Sequence, residues 1–182
     1  MKKGFLLLAL LITGISNVVT GQDFKILKNI NTAANTAGSD VSGIVVIGST
    51  IYFRAFKPTT GFELWKSDGS VTGTQLVKDI CIGSCGSLPQ NFINVNGTIF
   101  FTAKNVSHGN ELWKTDGTPD GTVMVKDINP GGADGNPAYL TNINGVLYFV
   151  ATDVAHGTEL WKSNGTEDGT MLVKDINTGT NP

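Results

Sequence analysis

The sequence predicts an all-β chain, a β-propeller-like array of four-stranded antiparallel blades, from three observations. A segment of 18 residues recurs three times without a gap, at a period of 48 residues. Turn signals cut each unit into four short β-rich runs, with no helical periodicity past residue 21. The second run of each unit is apolar on both faces, and the period lies between those of two common kinds of propeller blade.

The first element, residues 1–21, reads as a secretory signal peptide. Lys2 and Lys3 precede an apolar run from Phe5 to Ile12, then small and polar residues, with Val19 and Gly21 suited to cleavage before Gln22. The run is too short to span a bilayer, and no cysteine follows it to carry a lipid anchor. The expectation is export to the cell surface or medium, with no transmembrane segment in the mature chain. Without the leader, 11 basic residues stand against 15 acidic ones, Arg54 is the single arginine, and the lysines are evenly spread. That pattern excludes a nucleic-acid binder, which clusters its cations.

Residues 22–32 come next. Phe24 to Asn31 reads FKILKNIN and matches the LVKDIN end of a repeat, so a lone N-terminal strand is expected there. Three blades follow at 33–80, 81–128 and 129–176, and 177–182 begins another inter-blade loop. The repeats are ELWKSDGSVTGTQLVKDI from Glu63, ELWKTDGTPDGTVMVKDI from Glu111 and ELWKSNGTEDGTMLVKDI from Glu159. Twelve of 18 positions agree in the first pair and thirteen in the second, which marks duplication of a whole structural unit. In the last unit the expected strands are Ala138 to Asn144, Val146 to Asp153, Glu159 to Ser163 and Thr170 to Asn177. Asn96-Gly97 and Asn144-Gly145 are two-residue hairpin signals, because that turn wants positive φ at both positions. Tyr52 with Phe53, Phe100 with Phe101 and Tyr148 with Phe149 stand side by side in the second strands, so both faces need cover. A stacked β-solenoid is the runner-up, disfavoured by the hairpin turns. Three complete blades fall short of a closed ring, so the array is expected to be incomplete, with self-association through its open ends.

At these motifs the chain resembles the ELWxxDGT repeat family of large secreted bacterial proteins. Ser70 replaces the motif threonine in the first copy and Asn164 the aspartate in the third. The resemblance implies a propeller-like extracellular protein and, for the family, no assigned biochemical activity.

Side chains of types that carry chemistry elsewhere have structural readings beside them. Trp65, Trp113 and Trp161 could stack on sugars, but a residue placed identically in every unit is read as packing between blades. Gly69, Gly117 and Gly165 are read as turn residues. Glu63, Lys66 and Asp68, with Glu111, Lys114 and Asp116, are read as cross-strand charge pairs and turn caps, as are Lys78 with Asp79, Lys126 with Asp127 and Lys174 with Asp175. A repeated environment gives no reason for one carboxylate to titrate apart from another. Asp116, Asp120, Asn164, Glu167 and Asp168 cluster oxygens that calcium would want, yet the first repeat lacks the second acid and the loop spacing of an EF-hand is missing. His108 and His156 precede glycines where the first repeat has Thr60, and are read as turn residues. Cys81 and Cys85, in an exported chain with no third thiol, are expected to form a local disulfide rather than a zinc site. No catalytic constellation, cofactor motif or resident metal site is visible. The expected function is a non-enzymatic, secreted or surface scaffold for protein or glycan contact. The alternatives are the propeller part of a larger exported enzyme or sensor, and a calcium-dependent lectin.

Overall fold

A computed structural model describes residues 27–32 and 38–178. The proposed leader, residues 22–26 and the last four residues lie outside the described residues. The described chain holds twelve strands and no helix. They are β1 (Ser42–Ile47), β2 (Thr50–Lys57), β3 (Gly61–Ser67), β4 (Gln75–Lys78), β5 (Gln90–Val95), β6 (Thr98–Asn105), β7 (Gly109–Thr115), β8 (Val123–Lys126), β9 (Ala138–Ile143), β10 (Val146–Asp153), β11 (Gly157–Ser163) and β12 (Met171–Lys174). They form three separate four-stranded antiparallel sheets, each a meander in chain order, one per repeat. No closed ring forms among the described residues. At the β9–β10 corner, Asn144 and Gly145 have φ of 52° and 84°, the left-handed pair that such a hairpin demands.

The register explains why adjacent aromatic residues recur. In each second strand one aromatic pairs with the tryptophan of the third strand: Phe53 with Trp65, Phe101 with Trp113, Phe149 with Trp161. Its neighbour pairs with the following lysine and points to the other face: Tyr52 with Lys66, Phe100 with Lys114, Tyr148 with Lys162. The core is accordingly layered between sheets. Tyr52, Leu64, Val77 and Ile80 of the first sheet's unit pack with Ile99, Phe101, Ala103 and Trp113 of the second. Phe100, Leu112, Val125 and Ile128, on the opposite face of the second sheet, pack with Leu147, Phe149, Ala151 and Trp161 of the third. The second sheet is thus covered on both faces. The first strands of neighbouring sheets, β1 with β5 and β5 with β9, lie alongside one another.

The fourth strands are shorter than the pattern suggests. The ladder ends at Lys174 rather than running on to Asn177, and at Lys78 and Lys126 in the other units. The cause is a buried carboxylate beside each exit, described below, which captures the next backbone N–H groups and draws the chain out of the ladder. Each third–fourth pairing also carries a register shift, as between Leu160 and Trp161.

Residues 27–32 carry no strand. They still take the place that the end of a repeat takes elsewhere: Ile30 packs with Phe53, Ala55 and Trp65 on the outer face of the first sheet, and Lys28 donates to the Thr74 carbonyl.

Candidate functional site

The repeated polar residues converge on the junctions between sheets, in three devices. The first is a clamp. Glu63 and Glu111 are fully buried at the start of the tryptophan-bearing strands. Glu63 accepts hydrogen bonds from the backbone N–H groups of Ile80, Cys81 and Ser87 at 3.2, 3.1 and 2.9 Å, and from the Ser87 hydroxyl. Glu111 accepts from Ile128, Asn129 and Gly135 at 3.0, 3.4 and 2.7 Å. Each carboxylate thereby ties down the loop leading to the next sheet. Glu159, at the free end, accepts from Asn177 at 3.4 Å. Burial outweighs these N–H contacts and pushes Glu63 and Glu111 up to about 7.

The second device is a strut. In the first two units the lysine of ELWK reaches across the junction: Lys66 Nζ donates to Gly117 O at 2.8 Å and Lys114 Nζ to Gly165 O at 2.7 Å. The lysines that end the first two fourth strands do the same, Lys78 to Thr122 O at 2.8 Å and Lys126 to Thr170 O at 3.1 Å. The expected cross-strand charge pairs are corrected here. Among the described residues the one ion pair joins His156 to Asp153, while the repeated glutamates and lysines bind backbone groups instead. The charges are spent on amides because loop N–H and C=O groups at a buried junction need partners.

The third device is the loop that receives the struts. Asp116 Oδ1 accepts from the backbone N–H and hydroxyl of Thr118 at 2.8 and 2.7 Å, and Thr115 and Thr122 share a buried hydroxyl bond at 2.7 Å. Asp68 with Ser70 and Asn164 with Thr166 repeat the motif. The hydroxyl and N–H donors hold the Asp68 and Asp116 carboxyls below the usual range. Gly121 is required because a Cβ there would lie 2.1 Å from Asp116 Oδ1. These oxygens are organised around their own loop, and among the described residues no group of three His, Cys, Asp or Glu side chains is placed to hold a metal.

The remaining candidates resolve in the same way. Trp65, Trp113 and Trp161 are buried, with no ring face open to a sugar. Asp79 and Asp127 cap the inter-sheet loops through Gly83 N and Gly131 N at 3.2 and 3.1 Å. Asp175, in the third unit, is half-buried. Gly69, Gly117 and Gly165 sit at φ near 90° in the receiving loops. His108 and His156 contact Asn105 and Asp153 within their own turns. Cys81 and Cys85 are joined by a disulfide in the loop clamped by Glu63. A cleft of about 160 Å³ opens between the second and third sheets, lined by Asn96, Phe100, Lys114 and Asn164 among others.

Two surfaces stand out; pattern reading missed the first, and the second is one of the open ends that the count of three repeats leads one to expect. One is the edge formed by the β2–β3, β6–β7 and β10–β11 turns with the inter-sheet loops, where Ile82, Val106 and Val154 are more than four-fifths exposed. The other is the outer face of the third sheet. Leu160, Val173 and Ile176 are 39, 44 and 73% exposed, whereas Leu112, Val125 and Ile128, one repeat earlier, are 0, 5 and 3% exposed. The repeat alignment was the signal available for the second surface.

No protein-family model matches the chain, and no curated protein matches it. Among solved structures it is similar to the computationally designed Ika8 protein, at 11% identity and a TM-score of 0.41, over 79% of this chain and 37% of that one. It is also similar to a putative exo-beta-1,3-galactanase from Bifidobacterium bifidum s17, at 12% identity and a TM-score of 0.40, over 82% of this chain and 57% of that one. The chain thus spans little more than a third and just over half of these two. Likenesses this small carry no argument about fold or activity.

Proposed function

We propose that the three sheets are consecutive blades of an open, propeller-like array, and that the chain is an exported, non-enzymatic scaffold whose turns make contact with extracellular proteins or glycans. One observation carries the reading: the repeated ionisable side chains are committed to the junctions, Glu63 and Glu111 to loop amides and Lys66, Lys78, Lys114 and Lys126 to loop carbonyls. Chemistry that repeats in every unit serves cohesion. What differs between units is the turn chemistry: Pro58-Thr59-Thr60, Val106-Ser107-His108 and Val154-Ala155-His156. Exposed apolar side chains there, flanked by polar neighbours, suit a contact surface. Export rests on the leader and is tested by finding the processed chain outside the cell.

The contact role is tested by presenting the purified chain to a glycan array and to the surface-protein fraction of the producing cells, beside the variant Ile82→Asp/Val106→Asp/Val154→Asp. Retention of the native chain and its loss in the variant is the expected result. Equal retention of both would remove the turn edge from the proposal. A calcium requirement for retention would favour the lectin alternative instead.

A further inference from the structure

We infer that the outer face of the third sheet is a docking surface for a second copy of this chain, which offers its first sheet. The two internal junctions show what covers such a face. At each, a Tyr or Phe, a Leu, a Val and an Ile on one sheet meet an Ile or Leu, a Phe, an Ala and a Trp on the next. Two lysines then cross to the receiving loop of that next sheet. The third sheet carries the same donor set: Tyr148, Leu160, Val173, Ile176, Lys162 and Lys174. Among the described residues neither Lys162 nor Lys174 has a hydrogen-bond partner, and Leu160, Val173 and Ile176 are open to solvent where their counterparts are sealed.

The first sheet carries the complementary set. Ile51, Phe53, Ala55 and Trp65 line its outer face, and its loop holds the Gly69 and Thr74 carbonyls that match the acceptors of the internal junctions. Segment 27–32 covers part of this face, with Lys28 on Thr74 O and Ile30 against Phe53 and Trp65. Lys174 and Ile176 have the same side chains at the same spacing, so an incoming third sheet would exchange them for Lys28 and Ile30. No described lysine reaches Gly69 O, and Lys162 is the counterpart of the lysines that fill the matching position elsewhere. Two copies joined at both ends hold six sheets, within the range over which sheet rings close. The inference concerns cohesion between copies and does not depend on the scaffold role.

Light scattering on the purified chain over a dilution series should show a dimer that dissociates on dilution. Leu160→Asp/Val173→Asp changes side chains that are part-exposed in the single chain, so a monomeric mass at every concentration is expected, with the melting temperature of the native chain at monomeric dilution. Lys162→Glu/Lys174→Glu provides a second variant that leaves the apolar face intact and should dissociate as well. Ile30→Ser, which weakens the covering segment, should shift the equilibrium toward dimer. A zero-length carbodiimide cross-link should join Lys162 of one chain to Asp68 of another, the counterparts of Lys66 and Asp116 on the two sides of the internal junction where Lys66 meets the carbonyl of Gly117. Isotope-mixed samples show that such a link runs between chains. A chain that is monomeric at every concentration overturns the inference. So does association that survives both variant pairs, because contacts elsewhere, the leader included, would then be responsible.

Discussion

Leu112 and Leu160 are the same residue in two environments. Leu112 is sealed between sheets and Leu160 lies on an uncovered face. Leu112→Ala should lower the unfolding free energy by about 2–5 kcal/mol, through lost transfer energy and a residual cavity. Leu160→Ala should cost less than ~1 kcal/mol at dilutions where the chain is monomeric, and denaturant titration of the two variants there measures the difference. Equal costs would mean that Leu160 is covered in solution. The buried glutamates give a prediction in pH. Their folded-state values of about 7 stand above the ordinary 4.5, so the folded chain holds these protons more tightly than the unfolded one. Their contribution is present in full below pH 4.5 and is lost as pH rises through 4.5 toward 7. Melting temperatures measured across this window should fall with pH, with a shallower slope in Glu111→Gln.

At the scale of the element, the receiving loops separate local strain from contact between sheets. Gly69 and Gly117 have nearly the same φ, 89° and 90°, but a Cβ on Gly69 meets nothing within 4 Å, while one on Gly117 would lie 2.2 Å from the Tyr52 hydroxyl. Gly69→Ala should cost only the strain of a left-handed alanine, roughly 1–2 kcal/mol. Gly117→Ala should cost more, and the excess, read from paired unfolding curves, belongs to the junction of the first two sheets. The hairpins, the four strands per unit and the inward tryptophans were legible because each is written locally, in Asn144-Gly145 or in Phe149 opposite Trp161. The clamps were not. Glu63 bonds to amides 17 to 24 residues away, and a pattern that places charges in water has no means of burying one. The lysine struts were hidden for the same reason, spanning 44 to 51 residues to carbonyls that no sequence marks.

For the molecule as a whole, burial is uneven along the chain. The second sheet is covered on both faces, whereas the third is covered on one. In an array where each unit touches only its neighbours, stability is close to a sum of unit and junction contributions. Hydrogen exchange on the chain at monomeric dilution should therefore find the slowest amides in β6 and β7 and the fastest ladder amides in β12. Uniform protection across the three sheets would show that the ends are held by contacts absent from the single chain. The number of units and the open ends were legible from the repeat, but how far each side chain is covered was not, because Leu160 and Leu112 are identical on paper.

The struts and clamps also bear on how such a gene can change. Each joins a sheet to its own loop or to the sheet beside it, never to one further along. Excising or duplicating one 48-residue stretch would bring an identical set of donors to an identical set of acceptors. Growth and shrinkage in whole units are mechanically neutral, while a deletion of any other length would leave a buried glutamate facing the wrong amides.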